Sequence, residues 1–162
     1  MRHTLAFTLA TLCAACSTYG PAGLPAQASV DQATQALGRP SGEYPLPNSG
    51  KRLEFARGPY GRHTFMLDFD GQGRLTVSRQ VLTEPDFDAV LAGMSEAEVL
   101  ARIGHPAEKH QIGWQQQTVW AYRYESPFCR WFQVGIGRDG RVADTAYGPD
   151  PLCESNLNDR DL

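Results

Sequence analysis

The sequence predicts an α+β protein built from two tandem units, each made of two helices and a three-stranded antiparallel sheet. Three observations predict this class: one helix motif occurs twice, alternating strand patterns follow each copy, and a glycine turn interrupts each alternating segment. Of the 162 residues, 41% are hydrophobic and 20% are charged, which suits one ordinary folded domain or two very small ones.

The repeated helix motif occurs at residues 28–40 (ASVDQATQALGRP) and 94–106 (MSEAEVLARIGHP). Each copy has a serine that can cap a helix N-terminus, and a Gln or Glu three residues later completes a capping box. Each copy ends in glycine followed two residues later by proline, a combination that stops a helix. We therefore expect two equivalent short helices.

Hydrophobic residues alternate after each helix motif. Leu53 and Phe55 occupy the first strand of the first unit, and Trp120 and Tyr122 occupy the same places in the second. The second strands carry Phe65, Leu67 and Phe69 in one unit and Phe132, Val134 and Ile136 in the other. The third strands are expected at 75–81 and 142–147. Alternation of this kind predicts strands with one buried face.

The segment GIGRDG at residues 135–140 has the glycine spacing of a dinucleotide-binding loop. That loop needs a strand before it and a helix after it, because the phosphates bind at a helix N-terminus. Here the following residues, RVADTAY, have no helical pattern. We therefore predict a β-hairpin with Asp139 and Gly140 as its turn pair.

The stretch EPDFDAVLAG at residues 84–93 predicts a helix that ends at Gly93 and precedes the second copy of the motif. Phe87, Val90 and Leu91 fall on one face of that helix. The corresponding helix of the first unit is poorly defined, because residues 18–28 are rich in proline and glycine.

The N-terminus has the layout of a secretory signal: Arg2 precedes an uncharged apolar stretch that is too short to span a membrane. Small residues directly before Cys16 resemble the lipobox of bacterial lipoproteins, in which this cysteine is acylated. Cys13 departs from that pattern, which usually has Leu, and cleavage after Ala28 is the alternative. The predicted segments are a signal peptide (1–15), a lipid-anchored flexible tether (16–27), the first repeat (28–83), the second repeat (84–153) and a C-terminal tail (154–162).

Cys129 and Cys153 are the cysteines that remain after Cys16. In an exported chain an even pair predicts a disulfide, and two unrelated buried thiols are the alternative.

Charge and motif content argue against several functions. The formal net charge is −3 and there is no run of Lys and Arg, so we expect no nucleic-acid partner. Asp68 and Asp70 share a strand face and could form an acid/base pair, although solvated surface carboxylates are the favoured interpretation. Arg79 stands where a calcium loop starting at Asp68 would need Glu. His105 and His110 lack zinc-helix spacing and are expected in loops. We expect no catalytic residue, metal or cofactor.

One sheet face is the candidate binding surface. If the alternating hydrophobic residues face the core, Trp131 and Gln133 lie on the opposite face, and Met66 does so in the first unit. Tyr124 and Phe128 frame the turn before this strand. We predict that these five residues bind a protein partner; cover by a loop or by the sister repeat is the alternative.

The residues GMSEAEVLARIGHP, VWAYRY and RDGRV together resemble the BamE/SmpA family of small outer-membrane lipoproteins. The match is good over 85–147 and weaker over 28–82. The resemblance implies a non-catalytic, lipid-anchored domain that faces the periplasm and supports the β-barrel assembly machinery or contacts the cell wall. Ser17 after the anchor cysteine, where Asp would hold such a lipoprotein at the inner membrane, implies the outer membrane. Single-domain members lack the second copy.

The tandem arrangement also resembles the β-lactamase inhibitory protein, in which paired sheets form a concave surface for an enzyme. This likeness makes an inhibitor-like protein that binds an exported enzyme the second hypothesis. A hydrolase that uses Asp68 and Asp70 is the third.

Overall fold

The computed structural model describes residues 20–57 and 61–153. The fold is α+β, with two consecutive four-stranded antiparallel sheets whose strands follow chain order. The first sheet contains β1 (Gly42–Pro45), β2 (Lys51–Arg57), β3 (His63–Phe69) and β4 (Leu75–Gln80). The second contains β5 (Glu108–Ile112), β6 (Gln117–Arg123), β7 (Arg130–Ile136) and β8 (Val142–Pro149). The helices are α1 (Val30–Leu37), α2 (Glu84–Asp88) and α3 (Glu96–Ile103), with a 3₁₀ turn at Pro21–Gly23.

The prediction of three strands in each sheet is wrong, because β1 and β5 add a fourth strand at one edge of each sheet. Neither edge strand has an alternating hydrophobic pattern. The first is the short sequence GEYP, and the second is the polar sequence EKHQI. Proline and charged side chains are common on edge strands, where they discourage pairing with other chains.

The repeated helices are confirmed. Ser29 Oγ accepts the N–H of Gln32, whose side chain accepts the N–H of Ser29 in return. Ser95 and Glu98 make the same reciprocal pair at the start of α3. The glycine after each helix has φ of 79° or 80°, a left-handed conformation that suits glycine. Two copies of one local signal therefore fold into two matching caps.

Helix α2 is shorter than the sequence predicts. Phe87 and Val90 are buried as expected, but Leu91 is 60% exposed. The N–H of Val90 bonds to the carbonyl of Phe87, which closes a turn and ends the helix early. The N–H of Gly93 then bonds to β8, so this segment contacts the sheet instead of continuing as a helix.

The hairpin prediction for GIGRDG is confirmed. These residues form the end of β7 and the turn into β8. The N–H of Gly137 bonds to the carbonyl of Arg141 at 2.8 Å, and Gly140 has φ of 71°. Because the segment leads into a strand, it lacks the helix N-terminus that binds phosphate in dinucleotide loops.

Each unit has its own hydrophobic core between one sheet face and a helix. The first core contains Ala33, Leu37, Leu53, Phe55, Leu67 and Phe69. The second is larger and includes Phe87, Val99, Ile103, Trp120, Tyr122, Phe132, Val134 and Ile136. Leu24, which lies in the predicted tether, packs against the first core. We call the sheet face turned away from these helices the reverse face.

Candidate functional site

The reverse face of the first sheet lies against the second unit. Arg52 pairs with Asp68, and Glu54 pairs with Met66, so these four side chains share that face. Both Glu54 and Met66 are fully buried. A side chain at Gly104, just after α3, would come within 2.9 Å of the Glu54 carboxyl group. Met66 was predicted on an exposed surface, and burial near the sister unit corrects that expectation.

The Glu54 carboxylate is the centre of this contact. It accepts the Tyr44 hydroxyl at 2.6 Å and the backbone N–H of His105 at 3.0 Å, and the Nδ1 of His105 lies 2.8 Å away. Burial raises the pKa of the Tyr44 hydroxyl, and the hydrogen bond to Glu54 raises it further. Tyr122 donates its hydroxyl to the carbonyl of Gly104 at 3.0 Å. The buried carboxylate is thus fully engaged in holding the end of α3.

Arg52 adds a second link between the units. Its guanidinium bonds both carboxylate oxygens of Asp68, at 2.6 and 2.7 Å, and donates to the carbonyl of Ala101 at 2.9 Å. That carbonyl belongs to the last turn of α3, where helix carbonyls lack an internal partner. The Asp68 side chain is only 14% exposed, so the expectation of a solvated carboxylate is wrong there.

Asp70 has a different environment, in the turn between β3 and β4. Its carboxylate accepts the backbone N–H groups of Gln72 and Arg74 and pairs with the Arg74 side chain. The backbone hydrogen bond from Arg74 is the main cause that lowers the pKa of Asp70. Asp68 and Asp70 each have an arginine partner of their own, which supports structural roles for both.

Helices α2 and α3 pack on the core face of the second sheet, and at one end of its reverse face Arg123 is paired with Asp150, directly before a helical turn at 151–153. When Leu53 is aligned with Trp120, Val119 and Ala121 replace Arg52 and Glu54. Gln133 and Gly135 likewise replace Met66 and Asp68. The groups that hold the second unit on the first sheet are therefore absent from the second sheet, which carries small and neutral side chains in their place.

Trp131 lies on this reverse face but is only 5% exposed, so the prediction that it stands open to solvent is wrong. The Arg123 guanidinium lies 5.4 Å from its ring centroid, and the His110 ring lies 5.8 Å away. Arg123 is itself paired with Asp150 at 3.2 Å and with Glu108. The side chains of Arg123 from β6 and His110 from β5 therefore cover the indole. His110 lies in β5, so the expectation that it lies in a loop is wrong.

The other predicted binding residues lie apart from one another. Gln133 is half-buried on the reverse face. Tyr124 is buried in the second core, where its ring contacts Phe87 edge-on at 5.2 Å and its hydroxyl donates to Glu84. Phe128 is 76% exposed in the loop between β6 and β7. Of the five residues, Gln133 and Phe128 are thus the ones that solvent reaches readily.

The disulfide between Cys129 and Cys153 is confirmed, with the two Cα atoms 6.1 Å apart. The carbonyl of Cys129 also accepts the N–H of Asp150 at 2.9 Å, so the chain after β8 is fixed beside Arg123. Disulfides persist in oxidising compartments, and this one indicates an extracellular or envelope location.

Sequence reasoning missed the linking role of Arg52 and Glu54. A signal was present, because the pattern KRLEFAR places both residues opposite Leu53 and Phe55. It also missed Trp114, which is 84% exposed in the loop between β5 and β6.

No cluster of three or more His, Cys, Asp or Glu suited to a metal ion occurs in the described part of the chain. Within the same residues, every helix is too short or too polar to cross a membrane. The predicted lipidation at Cys16, the signal peptide and the tail at 154–162 fall outside the described residues.

The fold and contacts define a class of protein: a disulfide-bonded chain of two repeated α+β units in which one unit packs against the sheet of the other. No family model matches the chain, and no curated protein matches it. The resemblance to the BamE/SmpA family therefore stays a prediction. A search of solved structures found a cysteine-rich secretory protein from Staphylococcus aureus subsp. aureus Mu50, at 10% identity and a TM-score of 0.29. The match covers 82% of this chain and 49% of that protein, and at this TM-score it supports no argument.

Proposed function

We propose that this protein is a non-catalytic lipoprotein that faces the periplasm from the outer membrane and binds a protein partner through the reverse face of its second sheet. The proposal rests on one observation: the reverse faces of the two sheets occupy equivalent places in the repeat but have different contacts. The first reverse face receives the end of α3, whereas α2 and α3 pack on the opposite face of the second sheet. The BamE/SmpA resemblance supports a partner in the β-barrel assembly machinery.

The contact between the two units shows that the reverse face of such a sheet can bind another folded unit, which supports the same role for the reverse face of the second sheet. On the first sheet, the buried Glu54 and the half-buried Arg52 fix a helix end from the neighbouring unit. On the second sheet, Ala121 is fully buried and the side chains of Asp144 and Gln117 lie over Gly135, so the accessible groups of this face come mainly from β7 and β8. Gln133 and the exposed Asp144 supply polar groups at the same face, and Ala146 presents an exposed edge. A small apolar side chain among orienting polar groups is compatible with a protein interface.

The proposal is tested by introducing a bulky, charged side chain on either face of β8 and measuring partner binding. Ala146 pairs with Gln133 and lies on the reverse face, whereas its exposed neighbour Thr145 pairs with Val134 on the helix side. We expect Ala146→Arg to weaken capture of the purified barrel-assembly complex at least tenfold, because the side chain obstructs the contact. Thr145→Arg serves as the matched control and should bind as the unmodified protein does. Equal capture by both variants would contradict the proposed surface.

An inhibitor of an exported enzyme is the alternative function, since tandem sheets can form an enzyme-binding surface. Incorporation of a radiolabelled fatty acid into Cys16 separates the two hypotheses. We expect labelling of the full-length chain and no labelling of the Cys16→Ser variant. A mature chain that carries no lipid would contradict the anchor and favour the soluble inhibitor.

A further inference from the structure

The loop between β5 and β6 carries Trp114, whose 84% exposure exceeds that of the other exposed large hydrophobic residues in the described part of the chain. Residues 111–118 read QIGWQQQT and contain no charged residue. A solvent-exposed indole on an uncharged, amide-rich loop contributes no packing to the hydrophobic core of its own unit. This combination indicates a contact with something outside the chain.

A cavity of about 310 Å³ lies at the base of the same loop. Gly113 and Gln116, which lie on either side of Trp114 in the chain, both line it, so Trp114 belongs to the loop that forms part of the cavity wall. The polar groups around it come mostly from Gln111, Gln117 and Thr118, and Arg138 supplies the positive charge. Small-ligand pockets have volumes of roughly 300–1,000 Å³ and use a few polar groups to orient the ligand.

The first unit has a cavity in the equivalent place, between its β1–β2 loop and its β3–β4 turn. That cavity is lined by Glu43, Lys51 and Asp70 and has no aromatic residue in its wall. The second unit keeps the position of the cavity but has glutamine amides where the first has two carboxylates and a lysine. Its wall also lacks an aromatic residue, and the exposed Trp114 lies in the loop that supplies Gly113 and Gln116 to that wall. Apart from Arg138, the charged groups of the first cavity are thus replaced in the second by amides that form uncharged hydrogen bonds.

We propose that the cavity beside Trp114 binds an uncharged oligosaccharide. A sugar ring has an apolar face of C–H groups that can pack on an indole, and an exposed tryptophan offers a flat surface for it at little conformational cost. The glutamine side chains each donate and accept hydrogen bonds, as a ring of hydroxyl or acetamido groups requires. The lining contains no carboxylate that would favour a cation instead.

This site is separate from the partner surface of the proposed function. Among the residues that line the cavity, only the half-buried Gln117 contacts the partner surface, through a hydrogen bond to Asp144. The cavity itself lies at the end of the sheet that carries the β5–β6 loop. An Ala146→Arg variant should therefore bind sugar normally, and a Trp114→Ala variant should bind the protein partner normally. The two variants therefore test the sugar site and the partner surface independently.

Tryptophan fluorescence tests the proposal with two probes, triacetylchitotriose and maltotriose. Trp120 and Trp131 are buried, so a ligand that covers an indole should shift chiefly the emission of Trp114. We expect a saturable blue shift with at least one of the two sugars in the full-length protein. The affinity measured by calorimetry should fall at least tenfold in Trp114→Ala and in the double variant Gln111→Ala, Gln116→Ala. The Phe128→Ala variant, which removes an exposed aromatic side chain from another loop, should keep the affinity.

Urea unfolding of Trp114→Ala confirms that the variant is folded, since loss of an exposed side chain should leave stability nearly unchanged. No response to either sugar at concentrations on the order of 10 mM, well above a millimolar dissociation constant, would overturn the proposal. A shift of Trp114 emission on phosphatidylglycerol vesicles without any response to sugar would also overturn it, in favour of contact with a membrane surface.

Discussion

Replacing Glu54 with alanine is expected to lower the free energy of unfolding by about 3–5 kcal/mol. The reason is that its carboxylate is fully buried and satisfies the Tyr44 hydroxyl and the backbone N–H of His105 at once. Removal leaves these donors without a partner inside the protein and leaves a cavity between the two units. Urea unfolding followed by the fluorescence of the buried tryptophans measures the change.

The matched control for this prediction is Glu43→Ala. Glu43 lies on the neighbouring strand, is 59% exposed at its side chain, and pairs with Lys51 at 3.4 Å. Exposed ion pairs contribute less than about 1 kcal/mol, so this variant should unfold nearly as the unmodified protein does. If Glu54→Ala costs no more than Glu43→Ala, the carboxylate does not hold the units together.

Replacing Cys129 and Cys153 together with serine is expected to lower the free energy of unfolding by about 3 kcal/mol, because the disulfide closes a loop between residues 24 apart. A second effect should follow from the place of the disulfide. Asp150 bonds to the backbone of Cys129 and pairs with Arg123, whose guanidinium lies over Trp131. Loss of the cross-link should therefore make this indole more accessible to acrylamide.

The quenching measurement needs a background in which the exposed tryptophan is absent. Trp114→Phe, introduced into both the disulfide-bonded and the serine protein, leaves Trp120 and Trp131 as the emitters. Trp120 is buried in the core and serves as an internal reference. Equal stability and equal quenching in the two proteins would contradict a role for the disulfide in fixing the chain over Trp131.

The helices α1 and α3 could be predicted from sequence because their signals are local. A capping box, a hydrophobic face and a terminal glycine determine each helix within about a dozen residues. The hairpin at GIGRDG was also predictable, since turn glycines between two alternating segments have few other interpretations. These features made the repeat recognisable.

The edge strands β1 and β5 could not be predicted in the same way. An edge strand pairs on one side only and buries little, so its sequence need not alternate. Both strands form because a preceding helix returns the chain to the sheet, where β2 and β6 offer unpaired backbone groups. That information lies in the tertiary structure.

The candidate site was predicted only in part. The sequence places Met66 and Trp131 correctly on the reverse faces of their sheets, but the burial of both depends on what lies against those faces. Met66 is fully buried opposite Glu54, whose carboxylate binds the backbone just after α3. Trp131 is covered by the side chains of Arg123 and His110 from other strands. Docking between units depends on single pairs such as Glu54 with His105, which no periodic pattern reveals.

The most direct test of the central proposal is photo-crosslinking from two adjacent positions of β8 in intact cells. A photoreactive amino acid at Ala146 faces the reverse side of the second sheet, and one at Thr145 faces the helix side. We expect position 146 to give a cross-link to a separate envelope protein that position 145 does not give. The same products from both positions, or none from position 146, would contradict a binding surface on this face.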